Sequence, residues 1–285
     1  MRAAAIFGIG SPPRIFRRFE QIPNTAWLRG IPETSIDADA VAVFGGDGTL
    51  HRHLDRLVKL RLPVLVVPCG SGNDFARSLG INSGNDALKV WERFAAGSGL
   101  GRDVDLGRIG FMREGERVSR YFCCTCGVGL DAEVARRANA LPAVLRRNGG
   151  YAWSLLPALA RFRPPAVKLT GSDGSTREKK VFFAAIANTP YFGGGMKVAP
   201  RAKLDDGLLD VCVVGEMSKF RLLRNFPKIY SGRHLGVGGV SDFQTESVRV
   251  ETDGPQAVYA DGEYVGETPV QATVVPKALR VIVGT

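Results

Sequence analysis

The residues best suited to chemistry fall in two short glycine-rich strings. The first, Gly45-Gly46-Asp47-Gly48-Thr49, follows an apolar run. Glycine lets backbone N–H groups approach a phosphate closely and accepts positive φ without penalty. A loop that opens onto a helix N-terminus adds a dipole favouring an anion. An aspartate inside such a loop repels phosphate unless a divalent cation stands between them, so Asp47 reads as a Mg²⁺-linked carboxylate. Thr49 supplies a hydroxyl donor. The plainer reading of the same string is a strand-to-helix turn with Asp47 as the N-cap. The second string, Cys69-Gly70-Ser71-Gly72-Asn73-Asp74, also follows an apolar run. Ser71 and Asn73 offer side-chain donors and Asp74 a further carboxylate. Two such loops closing successive strands are harder to explain as independent turns.

Other reactive residue types carry less. Cys123, Cys124 and Cys126 invite a metal reading, but residues alternating along a strand cannot all face one ion, and buried structural cysteine is the stronger reading. His51 and His53 lie two apart on a predicted helix and do not share a face, and His234 stands isolated in a predicted loop. An odd total of five cysteines, three of them packed together, is unlike a secreted disulfide framework and points to a reducing cytoplasm.

The elements that must position the loops are readable from apolar periodicity. Residues 3–8 and 40–44 and the run 63–68 have the length and composition of buried strands. Residues 14–29 contain a short helix, 50–60 place Leu50, Leu54, Leu57 and Val58 at helical spacing, and 85–96 form another helix. Strand, loop and helix in alternation predict an open parallel α/β sheet with ligand loops at the strand C-terminal ends. After residue 103 the pattern changes to short strands separated by Gly, Asp and Pro, near residues 103–109, 121–127, 167–169, 180–188, 208–214, 247–251, 257–260, 270–275 and 279–283. Such spacing predicts a β-sandwich. The 285 residues therefore divide into an α/β nucleotide-binding domain over 1–107 and a β-sandwich domain over 108–285, whose last strand can return to the first. No run of about 18 apolar residues exists to span a membrane, and no signal peptide is visible at the start.

At this point residues 41–54 and 63–80 resemble the catalytic domain shared by diacylglycerol kinases, sphingosine kinases and soluble bacterial lipid kinases. The resemblance continues through residues 126–132, 187–196 and 199–210 and ends at Asp261-Gly262-Glu263, covering about residues 40–285. It implies an NAD kinase/diacylglycerol kinase-like α/β domain, a C-terminal β-sandwich and an active site in a cleft. By the same resemblance Gly46–Thr49 hold the phosphates of ATP, Ser71 touches ATP, and Asp47 and Asp74 join a Mg²⁺–water network. Glu263 accepts the proton of a lipid hydroxyl and Asp261 stands beside it. An alcohol attacking a γ-phosphoryl group needs positioning, charge neutralisation and a base. Two carboxylates two residues apart on one strand face or one turn can both approach one metal. Read without the upstream loops, residues 259–266 are a hairpin centred on Asp261-Gly262. The stretch from Lys203 to Leu208 matches a second, structural Mg²⁺ site, with Asp206 as side-chain ligand and backbone contributions from Lys203 and Leu208. An Asp-Gly turn before a strand accounts for it equally well. The chain departs from the family in two places. His51-Arg52 stand where Asn-Glu is usual, and only Gly8–Pro13 replaces a longer N-terminal phosphate-side passage.

The acceptor side of the reading rests on residues 133–163, where Ala135, Ala138, Leu141, Val144 and Leu145 alternate with Arg136, Arg137, Arg146 and Arg147. Trp153, Leu155, Leu156, Leu159 and Phe162 continue the apolar content. A basic amphipathic segment suits an anionic membrane surface or the wall of a lipid cleft; a helix pair with a solvated basic face is the plainer reading. The formal charge of +10 agrees with a polyanionic partner, yet no nucleic-acid-binding signature is present. Expected partners are ATP, a membrane lipid, diacylglycerol by default, and an anionic bilayer at the inner membrane surface, with a homodimer left open. An NAD kinase-like enzyme and a non-catalytic binder of lipid or nucleotide are the alternatives.

Overall fold

The computed structural model describes residues 1–139 and 150–284. The chain forms two compact units, Met1–Leu106 with Pro276–Thr285, and Gly107–Val275.

In the first unit the order is β1 (Arg2–Phe7), α1 (Pro13–Glu20), β2 (Ala26–Arg29), β3 (Ala40–Gly45), α2 (Asp47–Leu60), β4 (Val64–Pro68), α3 (Asp74–Ser78) and α4 (Gly84–Ala95). β1 pairs in parallel with β2 and β3, β3 with β4, and Val281 of the C-terminal segment with Val64. All six residues of β3 are buried, as a parallel strand covered on both faces requires. α2 buries Leu50, Leu54, Leu57 and Leu60, one stripe at helical spacing, and ends at Arg61 in the left-handed conformation. Phe16 and Phe19 of α1 and Trp27 of β2 meet the ring of Phe44 edge-on, and Trp27 also packs on Trp91 of α4. The helix expected within 14–29 stops at Glu20. Beyond Pro23 and the left-handed Asn24 the chain re-enters the sheet as β2, a strand the sequence does not advertise because it is mostly exposed.

The second unit holds most of β5 (Leu100–Arg113), then β6 (Glu116–Phe122), β7 (Thr125–Gly129), α5 (Leu130–Asn139), α6 (Gly150–Arg161), β8 (Ala166–Gly171), β9 (Thr176–Ala187), β10 (Leu209–Gly215), α7 (Lys219–Asn225), β11 (Val240–Thr245), β12 (Ser247–Thr252), β13 (Ala257–Ala260), β14 (Glu263–Glu267) and the first part of β15 (Val270–Val283). One antiparallel ladder runs β14-β13-β7-β9-β10-β11. The first half of β9 pairs instead with β8, which continues through β12 to β15. Val167, Val248 and Val270 of the second group share one core with Val128, Ile186 and Val211 of the first, which makes a β-sandwich-like pair of layers. The strands anticipated near 270–275 and 279–283 are one continuous strand. The strand anticipated over 121–127 is broken at Cys123-Cys124, and β11 was not anticipated at all. Residues 140–149, which carry Leu141, Val144, Leu145, Arg146 and Arg147, lie outside the described residues, as do the side chains of Ala135, Ala138, Trp153 and Leu155.

Candidate active site

The first unit brings both glycine strings together. A Cβ on Gly46 would stand 2.9 Å from the Cα of Gly70, and one on Gly70 2.6 Å from the Cα of Gly46. Only glycine lets the two backbones approach this closely. A Cβ on Gly45 would fall 2.5 to 2.8 Å from the side chain of Thr49, so Thr49 occupies the space that Gly45 leaves. Asp47 ties the loops: its carboxylate accepts the N–H of Asp74 at 3.0 Å and of Phe75 at 3.1 Å. The N-cap of its own helix is Gly46, not Asp47, and the Asp47 carboxylate serves the second loop.

Within the second loop Asn73 adopts φ +55°. Its amide oxygen accepts the N–H of Gly70 and its amide nitrogen donates to the carbonyl of Gly70. The group offered by the sequence as a ligand donor thus shapes the turn itself. Asp74 is buried and ion-pairs with Arg77, while Ser71 is exposed. Burial pushes the thiol of Cys69 up to about 11, which keeps it protonated at neutral pH. The turn after β1 completes the group. Gly8 donates to the carbonyl of Phe44 at 2.8 Å, and the hydroxyl of Ser11 donates to the same oxygen at 2.6 Å. No sequence signal marked Ser11, whose partner lies 33 residues away. His53 on α2 has its pKa lowered by burial and, secondarily, by the charge of Arg52.

In the second unit Asp261-Gly262 forms the tip of the β13–β14 hairpin, at φ +50° and +85°. Two consecutive left-handed residues are what a tight two-residue hairpin demands. The Asp261 carboxylate accepts three backbone N–H groups, from Cys123 at 2.8 Å, Cys124 at 2.8 Å and Thr125 at 3.1 Å, and its own N–H donates to the carbonyl of Thr125. Charge-assisted bonds of this kind are the strong ones. Asn188, fully buried, grips the same bend from the other side. Its backbone N–H donates to the carbonyl of Cys124 and its amide to that of Cys123. Glu263, half-buried, opens β14 opposite Ala260. Asp261 is therefore a positioning residue for the turn that carries Glu263.

The stretch from Lys203 to Leu208 lies elsewhere on the same sheet. Thr125 pairs with Ala187 and Ala187 with Asp210, so β13 and β10 are three strand spacings apart, about 14 Å. Lys203 and Asp206 are exposed, and the Asp206 carboxylate accepts the N–H of Leu208 at 3.1 Å, an Asx turn leading into β10. Burial raises the pKa of Asp210, and the charge of Asp206 adds to the rise. His234, expected in a loop, lies in a short 3₁₀-helical turn. It is buried, its Nε2 stands 3.1 Å from the carbonyl of Val198, and burial lowers its pKa.

Of the basic segment, Arg136 and Arg137 both ion-pair with Glu133. A cavity of about 300 Å³ beside them is lined by Arg161, Phe162 and Arg163.

A parallel sheet with paired glycine loops, followed by a β-sandwich, defines a kinase of the NAD kinase/diacylglycerol kinase-like fold. Residues 18–109 match the family model described as the diacylglycerol kinase catalytic domain, and residues 124–283 match the YegS C-terminal NAD kinase beta sandwich-like domain. The chain belongs to the diacylglycerol kinase catalytic-domain family, a family of lipid kinases. A diacylglycerol kinase of Mycobacterium tuberculosis (strain ATCC 25618 / H37Rv) is 33% identical over 244 residues, covering 86% of this chain and 76% of that protein. A diacylglycerol kinase of Bacillus subtilis (strain 168) is 26% identical over 233 residues, covering 81% and 73%. A solved chain from Bacillus anthracis str. Sterne superposes with a TM-score of 0.77 at 23% identity over 99% of this chain and 95% of its own. Yeast NADH kinase complexed with NADH superposes with a TM-score of 0.57 at 10% identity, covering 100% of this chain and 84% of that one, a likeness of fold alone.

Proposed function

We propose that this chain transfers the γ-phosphoryl group of ATP, with Mg²⁺, to the hydroxyl of a lipid, diacylglycerol first among acceptors. The observation that carries the reading is the carboxylate of Asp47, held by the N–H groups of Asp74 and Phe75 where two glycine loops meet. Glycine backbones there leave room for phosphate, and α2 directs its N-terminus into the same loop. Hard carboxylate oxygens suit Mg²⁺, and Asp47 and Asp74 are the residues that would hold it. When bound, the ion offsets phosphate charge. Asp206, with the carbonyls of Lys203 and Leu208, offers the same oxygen chemistry for a structural Mg²⁺. Burial is the main cause of the raised pKa of Asp210, and a cation there would relieve the lesser contribution from the Asp206 charge. Glu263 takes the proton of the attacking hydroxyl, and Asp261 fixes the turn that presents it.

Two exposed apolar side chains support contact with a bilayer, Leu156 on α6 and Phe220 on α7. Lys219 ties the two helices by donating to the carbonyl of Ala160, and exposed Arg161, Arg163, Arg221 and Arg224 lie on or next to them in sequence. Apolar anchors among cations suit anionic headgroups. Among the described residues no helix is long and apolar enough to cross a membrane. Phe220→Ser should weaken sedimentation with phosphatidylglycerol vesicles and leave circular dichroism unchanged.

The deciding experiment supplies γ-labelled ATP and Mg²⁺ with diacylglycerol in mixed micelles, with NAD, and with a total lipid extract. Label in phosphatidic acid, abolished by chelating Mg²⁺, is the expected result. Label in NADP would move the chain to the NAD kinase side, and nucleotide binding without transfer to any acceptor would make it a non-catalytic binder.

A further inference from the structure

The break between β6 and β7 creates a group of ligand atoms that strand alternation forbids. Cys123 and Cys124 are adjacent, yet both turn toward Asp261, and one atom from each of the three residues lies within 4.8 Å of the others. The two Sγ atoms are 3.8 Å apart, and the Sγ of Cys123 is 3.3 Å from Oδ2 of Asp261. Tetrahedral zinc with Zn–S bonds of about 2.3 Å requires its sulfurs to be about 3.8 Å apart. With a Zn–O bond of about 2.1 Å the same geometry separates sulfur and oxygen by about 3.6 Å. The thiol pair already has the separation a zinc-class ion needs, the Cys123–Asp261 separation differs from the ideal by only a few tenths of an ångström, and the third separation is within 4.8 Å. A disulfide would need the sulfurs to close to about 2.05 Å. Cys126, the third cysteine of the segment, faces the sandwich core and is not part of the group.

We propose that Cys123, Cys124 and Asp261 form a binding site for a thiophilic divalent cation of the zinc class, placed directly under the Asp261-Gly262-Glu263 turn. Both cysteines are buried, whereas Asp261 is half-buried, so the ion enters from the turn side and the fourth coordination position faces that opening. Binding replaces the two S–H protons by the metal, and two protons leave for each cation bound. The Oδ2 that joins the metal also accepts the N–H of Cys123, so occupancy alters the clamp that holds the turn. Hard Mg²⁺ does not compete, because it prefers oxygen ligands.

The test titrates the reduced full-length protein with Cd²⁺ and follows the thiolate-to-cadmium charge-transfer absorption, with Zn²⁺ competition and proton release measured in parallel. The expected result is one cation per chain, two protons released, and displacement by Zn²⁺ but not by Mg²⁺. Cys123→Ser and Cys124→Ser should each weaken binding by roughly a hundred-fold, while Cys69→Ala and Cys212→Ala leave it unchanged. Should a serine variant fail to fold, Asp261→Asn provides the second arm, with weaker binding at retained circular dichroism. Absence of a one-to-one absorption change, or its survival with both Cys123 and Cys124 replaced, overturns the site. The binding readout does not use turnover, so it stands or falls apart from the kinase reading; under that reading Zn²⁺ also lowers turnover in the parent protein and not in the serine variants.

Discussion

The two units solve one problem with the same device and different supports. In the first, the Asp47 carboxylate reaches 27 and 28 residues along the chain to hold two N–H groups; in the second, Asp261 reaches back 136 to 138 residues to hold three. Around Asp47 the tie is backed by glycine on glycine, Gly46 against Gly70, in a loop that is half open to water. Around Asp261 there is no such contact among the described residues. In both clamps the N–H groups belong to buried residues, but here there are three of them, and the aspartate itself adopts a left-handed conformation to reach them. A loop with the proposed task of admitting a large anion keeps its backbone bare and partly solvated. A turn that must present one side chain is locked from beneath.

The contrast predicts a ranking of stability losses. Asp261→Ala leaves the N–H groups of three buried residues, Cys123, Cys124 and Thr125, without their acceptor. The loss should be about 3 kcal/mol or more, read as a shifted denaturation midpoint. Asp47→Ala leaves the N–H groups of the buried Asp74 and Phe75 without this acceptor, one group fewer than at Asp261, so its cost should be smaller, about 2 kcal/mol, while ATP-dependent transfer disappears. If the two variants were equally destabilised, the number of N–H groups held would not be what separates the clamps. Gly70→Ala should cost about 1–3 kcal/mol by forcing the loops apart, with its main effect on ATP affinity. Glu263→Gln should leave the midpoint unchanged and lower turnover by roughly a hundred-fold or more, as loss of a general base does. An unchanged rate would remove Glu263 from that role.

The same contrast explains what the sequence discloses. β3, β4 and both glycine loops are legible because a central parallel strand is apolar along its whole length, and because close backbone approach restricts Gly46 and Gly70 to glycine. The clamp of Asp261 is not legible, since nothing within ten residues of it indicates that Cys123-Cys124-Thr125 are its partners. For that reason the strand break at Cys123-Cys124 went unread, and alternation was wrongly carried through it. Asn188 grips the same bend across 65 residues, and no local pattern signals that role either. β2 and β11 escape because neither alternates in burial. His234 escapes because its buried setting is built by Val198 and Cys212, 36 and 22 residues away.

A third carboxylate sharpens the comparison by being the weakest tie. Asp206 holds only Leu208, two residues on, from an exposed turn, so its replacement by asparagine should move stability by no more than a few tenths of a kcal/mol. Its electrostatic reach is more informative. Asp210 has its pKa raised above 3.8 by burial first, with the Asp206 charge contributing, against the opposing effects of Gln244 and Arg201. A carboxyl raised on folding favours the native state below its unfolded pKa, and that contribution is lost as pH rises through the folded value. Asp206→Asn removes one cause of the rise, so the Asp210 titration followed by carboxyl-carbon NMR should move to lower pH, and the acid-side stability gain should shrink. Mg²⁺ bound at Asp206 would act in the same direction by placing positive charge beside both groups. The cation should therefore lower the Asp210 midpoint in the parent protein and leave it unmoved in Asp206→Asn. An Asp210 midpoint indifferent to Mg²⁺ in the parent protein would reduce the stretch from Lys203 to Leu208 to a turn that starts a strand.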